Sequence, residues 1–390
     1  MKDIQERFNI KKNSNIINII LIVIVFSLLS SAITGITIYF LNNKNVLLSE
    51  NEKELLDTFK SINDKYYKDI DINKVKDAAI DGMMDYLNED YSELLNDYES
   101  NSLLDKLNGQ YKGIGVSIGV IDDKVTIIEV RDDTPAKRAD IRTGDIILGI
   151  NNIKIGTDNF SNITSIVENS ESITLELKRD KEVLKKNVDV ATIIKPSISS
   201  SIIDELDKKI GYIYIETFSN TTDSQFKSNL ELLESKGIDS LIIDVRDNTG
   251  GYLEISERIA SLFIIKDKPI YQYKSKDSFE IVYDRTEESR NYDIVVLINE
   301  RTASASEILA LALKESYGAI LIGETSYGKG SVQQLGVLNN KENIKITVAK
   351  WYSPNGNSID EIGILPGIYV KNDSMNIDKQ LKKALEVLTN

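Results

Sequence analysis

The 390 residues include no cysteine and no histidine. Without cysteine there is no disulfide and no thiol nucleophile. That absence does not fix a compartment, because many extracytoplasmic proteins also lack disulfides. Without histidine, an intrachain Ser-His-Asp triad, a Cys-His pair and every histidine-bearing zinc site are excluded. A base working near neutral pH must then be a shifted lysine, aspartate, glutamate or tyrosine, or a terminal amine. Positive charge is also short: 47 lysines and arginines face 61 acidic residues, a net charge of −14. No compact Lys/Arg cluster offsets this balance, which argues against a nucleic-acid partner, since phosphate binding needs a basic patch.

What is present divides the chain. Residues 16–41 are almost continuously apolar and exceed the roughly 20 residues that span a bilayer. Lys2, Arg7, Lys11 and Lys12 precede the run, which favours an amino terminus on the inside. Tyr39 and Phe40 stand where an interfacial aromatic would. The rival is a cleaved signal peptide, whose apolar core is usually shorter and ends in a small-x-small site; Ser30, Ser31 and Ala32 lie in mid-run instead. The expectation is a cytoplasmic segment 1–14, a single-pass transmembrane signal-anchor over 15–41, and the remainder of the chain on the extracytoplasmic side of the cell membrane.

A helical N-terminal region, 42–105, follows. Leu55, Leu56, Phe59 and Ile62 recur at helical spacing, and Val75, Ala78, Ala79, Gly82, Met83 and Leu87 do so again. A spacer or dimerising arm is the expected role. From 106 to 190 short strands are predicted over 111–118, 124–130, 146–150 and 173–179. Thr134 caps a short helix with Pro135 at its first position, and a second helix is predicted over 158–167. From 208 onward, strands over 211–218, 241–245, 294–298, 319–323 and 344–351 alternate with helices over 223–236, 253–265 and 306–316. Such alternation implies a sheet with parallel strands covered by crossover helices.

Sites in such sheets collect at the carboxyl ends of strands. Three loops there carry unusual residues: Arg246-Asp247-Asn248-Thr249-Gly250-Gly251, then 299–307 with Ser304, then 324–334 with Lys329. Ser304 stands just before a helix, where amides and the helix dipole favour an anion, but Ser304-x-x-Glu307 also matches an ordinary capping box. Lys329 is flanked by Gly328 and Gly330. Solvated, it would be a poor base with a pKa of about 10.4; desolvated, it could supply a neutral amine. The phosphate-loop pattern is absent, because Gly330 follows the lysine. The paired glycines offer amides for an anion nest or form a simple turn.

Taken together, these residues resemble the carboxyl-terminal processing proteases, tail-specific serine peptidases with a Ser-Lys dyad. Ser304-Ala305-Ser306-Glu307-Ile308 matches one family block, and Gly323 to Gln333 matches the other, Gly-Glu-x-(Thr/Ser)-x-Gly-Lys-Gly-(Ser/Thr)-Val-Gln. The spacing selects Ser304 over Ser306 as nucleophile and leaves Ser306 as the expected helix N-cap. The resemblance implies Lys329 as base, Gln333 as the residue that orients it from a helical or near-helical i,i+4 position, and oxyanion donors at Ala305 and at Gly250 or Gly251. Thr249 stands where the family usually has proline. Gly113-Ile114-Gly115, followed by Val116, resembles the carboxylate-binding loop of a PDZ domain, which would capture a peptide's C-terminal tail.

The implied architecture is α+β and α/β, multidomain: an N-terminal transmembrane helix, the helical region, a PDZ-like domain over 106–190 and a ClpP/crotonase-like peptidase core over 191–390. The implied function is a serine endopeptidase with PDZ-gated access, needing no metal or cofactor, acting on protein tails, and dimerising through its N-terminal arm. The alternatives are a non-catalytic PDZ adaptor and an acyl-CoA-binding protein on a crotonase-like sheet.

Overall fold

The computed structural model describes residues 49–337, 343–372 and 377–390. The expected segments 1–14 and 15–41 lie outside them. Among the described residues no helix is long and apolar enough to cross a membrane. The chain forms two compact units, the first ending at Met83 and the second running from Met84 to Asn390.

In the first unit helix α1 spans Glu50–Lys65 and opens with a full capping box between Ser49 and Glu52. Helix α2 spans Ile72–Leu87. Neither helix contains a buried residue.

The second unit takes in the last turn of α2 and continues with strand β1 (Glu93–Leu95), helix α3 (Asp97–Asn108) and strand β2 (Gln110–Gly113). A β-rich subdomain follows: β3 (Val116–Ile121), β4 (Lys124–Val130), α4 (Pro135–Arg138), β5 (Ile146–Ile150), β6 (Ile153–Lys154), α5 (Asn162–Glu168), β7 (Ser172–Arg179) and β8 (Glu182–Asp189). Its sheet runs β3-β4-β5-β7-β8, with β6 paired to β5. The alternating apolar side of these strands, including Val125, Ile127, Leu175 and Leu177, closes on Ala136, Ile163 and Val167 from the two helices. Strand β9 (Ala191–Ile194) pairs antiparallel with β2. The subdomain is therefore inserted between the two arms of one ribbon.

Strand β10 (Ile198–Glu205) turns back through Leu206 and Asp207 into β11 (Lys208–Ile215). Both turn residues have positive φ, the pattern of a two-residue type I′ hairpin. From β11 the chain alternates: α6 (Thr222–Ser235), β12 (Ser240–Asp244), α7 (Leu253–Ala260), the hairpin β13 (Pro269–Ser275) and β14 (Phe279–Tyr283), β15 (Asp293–Ile298), α8 (Ala305–Ala312) and β16 (Ile320–Gly323). Strands β11, β12, β15 and β16 are mutually parallel, and β19 (Ile368–Tyr369) extends the sheet parallel to β16. One face packs Phe226, Leu230, Ile259, Phe263, Ile308 and Leu309 against the sheet. On the other, the C-terminal helix α9 (Lys379–Thr389) covers Ile210, Ile242 and Val295 with Ala384 and Leu388. A separate sheet contains β1, β13, β14, β17 (Ser331–Val337) and β18 (Asn343–Tyr352).

Several expected boundaries move. The strand expected over 111–118 is two strands, broken where Gly115 takes φ 87°. The helix expected over 253–265 stops at Ala260, and the one expected over 306–316 passes at Leu313 into a single π turn, Leu313–Tyr317. The segment after Lys329 is strand β17, not helix.

Candidate active site

The loops that follow β12, β15 and β16 are lashed together by hydrogen bonds between chain segments. Ala303 N donates to Asn248 O at 3.0 Å, and Tyr327 N donates to Thr302 O at 3.0 Å. Thr302 Oγ1 donates to Val245 O at 2.9 Å, and Asn299 Nδ2 to Asp247 Oδ1 at 2.8 Å. Asn248 and Thr302 are fully buried, so the bonds made by these two residues act where water competes little, whereas the Asn299–Asp247 bond lies at the surface.

Ser304 stands at the junction of the β15 loop and α8 with φ 57° and ψ −119°. That region favours glycine, and a residue with a side chain held there costs about 1–3 kcal/mol. Its neighbours Ala303, Ala305 and Ser306 are buried, while Ser304 itself is half-exposed. The strained turn thus presents one hydroxyl from between buried neighbours. Ser304, not Ser306, is the N-cap residue of α8. Ser306 is buried in the first turn and donates its hydroxyl to Asn248 O at 2.9 Å. The physical reason is that the turn must reverse at 304, before the helical dihedrals begin at Ala305.

Glu307 is fully buried. Its Oε1 accepts from Ser326 Oγ at 2.5 Å and Gly328 N at 2.7 Å. Its Oε2 accepts from Ser304 N at 2.7 Å and Lys329 N at 3.0 Å. Burial pushes this carboxyl up, opposed by those four bonds. On the other side of the lysine, Trp351 Nε1 donates to Lys329 O at 2.9 Å. The main chain of Lys329 is therefore fixed at both its N–H and its carbonyl.

The lysine side chain is half-buried. Burial is the main cause that pushes its pKa below the ordinary lysine value, with Lys345 adding to the effect and Glu89, Glu307 and Glu93 opposing it. Lys329 Nζ lies 4.6 Å from the centre of the Tyr91 ring, a cation–π distance. Among the described residues it hydrogen-bonds neither Ser304 nor Gln333. Gln333 Nε2 instead donates to Ser331 Oγ at 2.8 Å and Thr347 Oγ1 at 3.2 Å. The expectation that Gln333 contacts the lysine is thus not met in this arrangement: β17 is extended, and a bulge between Val332 and Gln333 sets the side chain's direction.

Ala305 N is a first-turn helix amide, and no acceptor for it occurs among the described residues. Gly250 N–H is committed to Asn248 Oδ1 at 2.8 Å, whereas Gly251 N–H has no acceptor there. Gly250 packs so closely that a Cβ on it would fall 2.9 Å from Ser304 Cβ and 3.1 Å from Ala305 N. Lys106 Nζ reaches Thr249 Oγ1 at 3.3 Å.

In the β-rich subdomain, Gly113, Ile114, Gly115 and Val116 form the link between β2 and β3. Gly115 needs both its positive φ and its missing side chain, because a Cβ would fall 2.3 Å from Thr134. The loop borders a cavity lined by Ile118, Ile127, Ile163 and Val167.

Comparison with known proteins decides the family. The profile described as Peptidase family S41 matches residues 209–370, and that of a PDZ domain matches 113–190. The chain is 34% identical over 319 residues to carboxy-terminal processing protease CtpB of Bacillus subtilis, covering 80% of this chain and 66% of that protein. It is 30% identical over 376 residues to CtpA of the same organism, covering 93% of this chain and 80% of that protein. The chain belongs to the carboxy-terminal processing proteases. It is a serine-type peptidase carrying a PDZ domain. The solved photosystem II D1 C-terminal processing protease shares the fold, with a TM-score of 0.50 at 19% identity over 88% of this chain and 98% of that one.

Two features of this protease escaped sequence reasoning. Glu307 was legible only as half of a capping box. Tyr91 and Glu89 come from a segment more than 230 residues before Lys329, and no local pattern places them beside it.

Proposed function

We propose that Ser304 is the nucleophile and Lys329 the general base of an endopeptidase that cleaves proteins held by their C-terminal tails. The observation that carries this reading is the strained, half-exposed Ser304 sharing one buried carboxylate with the main chain of a desolvated lysine. The arrangement of Lys329 over Tyr91 is read as a resting state, from which a side-chain rotation brings Nζ to Ser304; apo catalytic contacts often tighten only with substrate.

In the reaction, neutral Lys329 takes the proton of Ser304 Oγ as the oxygen attacks the scissile carbonyl. The oxyanion is held by Ala305 N–H and one glycine amide; the uncommitted N–H of Gly251 supports it over Gly250. The Lys329 ammonium then protonates the leaving amine. Water, deprotonated by the same lysine, hydrolyses the acyl-enzyme and frees Ser304. Gln333 would reach the lysine only once both side chains leave this resting arrangement.

The Gly113–Val116 loop receives the substrate's terminal carboxylate, and the tail adds a strand beside β3. Two synthetic peptides, identical except for a free or amidated C-terminus, test this. The amide should raise KM about tenfold, equivalent to ~1.4 kcal/mol. Equal KM values would remove the tail-capture role.

Residues 15–41 are proposed to anchor the chain with its catalytic part outside the cytoplasm, and 42–105 to pair two chains through the exposed Leu55, Leu56 and Ile62. Full-length protein should stay with membranes through alkaline carbonate washing, and a chain starting at residue 42 should be a soluble dimer by sedimentation. Release of the former, or a monomer for the latter, would refute the corresponding role.

A further inference from the structure

We infer that Glu307 is the positioning residue of this reaction: its carboxylate locks the nucleophile loop to the lysine loop and is one of the negative charges that hold the proton on Lys329. The inference rests on the Ser304/Lys329 reading above and goes beyond it.

Three of the four groups on Glu307 are backbone N–H donors, from Ser304, Gly328 and Lys329. An N–H cannot accept, so each oxygen is an acceptor for at least one of them, and the ionised carboxylate accepts from all four donors. The fourth donor, Ser326 Oγ, is oriented in turn by Ile364 N, which donates to it at 2.7 Å. A helix-capping role would need only the bond to Ser304 N. The other three bonds leave the helix and reach the loop after β16, where they hold 326, 328 and 329 in succession. One side chain thus sets the separation of the two reacting residues.

The same charge acts on the lysine. The charged groups facing Lys329 are Glu307 from α8, Lys345 from β18, and Glu89 and Glu93 from the segment around β1. The phenol of Tyr91 also faces it, with Tyr327 bonded to Tyr91 and Asp90 and Asp360 nearby. Of the carboxylates acting on Lys329, only Glu307 also bonds its main chain.

The test is Glu307→Gln in the folded full-length protein, assayed on fluorescein-labelled casein across pH. The amide puts an NH2 against N–H donors and removes the charge. kcat should fall ~10²-fold, the cost of a misplacement of about 1 Å, with KM little changed. Loss of a negative neighbour favours the neutral amine, so the acid-side midpoint of kcat/KM should move to lower pH. A fall in kcat with an unmoved midpoint is what a merely structural contact gives, and it overturns the inference, as does wild-type kcat. Ser326→Ala removes one bond of the clamp and keeps the charge; it should lower kcat several-fold at unchanged KM and unchanged midpoint. Wild-type kcat in that variant overturns the clamp even if Glu307→Gln does not fold. Lys329→Ala separates the two levels: if that variant still cleaves casein, the dyad itself fails, whereas an inactive Lys329→Ala beside an unaltered Glu307→Gln profile sinks the inference alone.

Discussion

Lys329→Ala should lower kcat on an unfolded protein substrate by about 10⁴-fold, the upper range for a general base, with KM nearly unchanged. Neither a histidine nor Glu307 can replace it. The chain has no histidine, and the nearest carboxylate, Glu307, is buried and occupied by four donors. Lys329→Arg should be equally inactive, because a guanidinium stays protonated and cannot accept the serine proton. The wild-type pH profile carries the sign of the mechanism. A lysine base works only when neutral, so kcat/KM rises with pH through the lysine's own pKa. Burial and Lys345 push that pKa down from the ordinary value, so the rise should be centred below that of a free lysine, at about 10.4. Steady-state rates from pH 6 to 10 measure it. A profile that falls with rising pH, or cleavage that survives in the alanine variant, would exclude the lysine.

The sequence carried much of this site and little of its wiring. Residues 124–130 and 146–150 alternate or concentrate β-branched side chains, and both strands form with those bounds. Thr134 and Pro135 cap α4 as their chemistry dictates. The edge strand β10 went unseen because five of the eight residues of Ile198–Glu205 are serine or acid and half of the eight are exposed, and its turn at Leu206-Asp207 lacks the usual glycine or asparagine. A helical or near-helical i,i+4 placement would put Lys329 and Gln333 on one face, yet a residue pair four apart also shares a face in a strand. Only pairing with β18, a long-range fact, decides between them. Glu307 is the sharpest case. Ser304-x-x-Glu307 has the same local pattern whether the glutamate serves one helix or three loops. The difference lies in Ser326, Gly328 and Lys329, which reach it from about 20 residues away only once β16 lies beside β15.

Gly250→Ala should reduce kcat by 10²- to 10³-fold, comparable to removing an oxyanion donor, whichever of the paired glycines supplies the amide. Two separate strains act together. Gly250 has φ 99°, a conformation that L side chains rarely adopt. A Cβ there would also fall 2.9 Å from Ala303 O and Ser304 Cβ and 3.1 Å from Ala305 N. None of these atoms can move freely: Ala303 N is held by Asn248 O, Glu307 N and Ile308 N close the first turn of α8 on Ser304 O, and Glu307 grips Ser304 N. The added methyl therefore displaces Ser304, the proposed nucleophile, or blocks the face of Ala305 N–H where the proposed oxyanion would sit. With tail capture at the PDZ loop as proposed, KM for a tailed peptide should change far less than kcat. Gly251→Ala meets a different obstacle, the Phe218 carbonyl 2.2 Å from the new Cβ, and should cost folding stability as well as rate. Urea denaturation beside single-turnover cleavage separates the two variants. Near wild-type kcat in a folded Gly250→Ala protein would mean that the oxyanion forms away from this loop, and the assignment of Ala305 and Gly251 as its donors would fall with it.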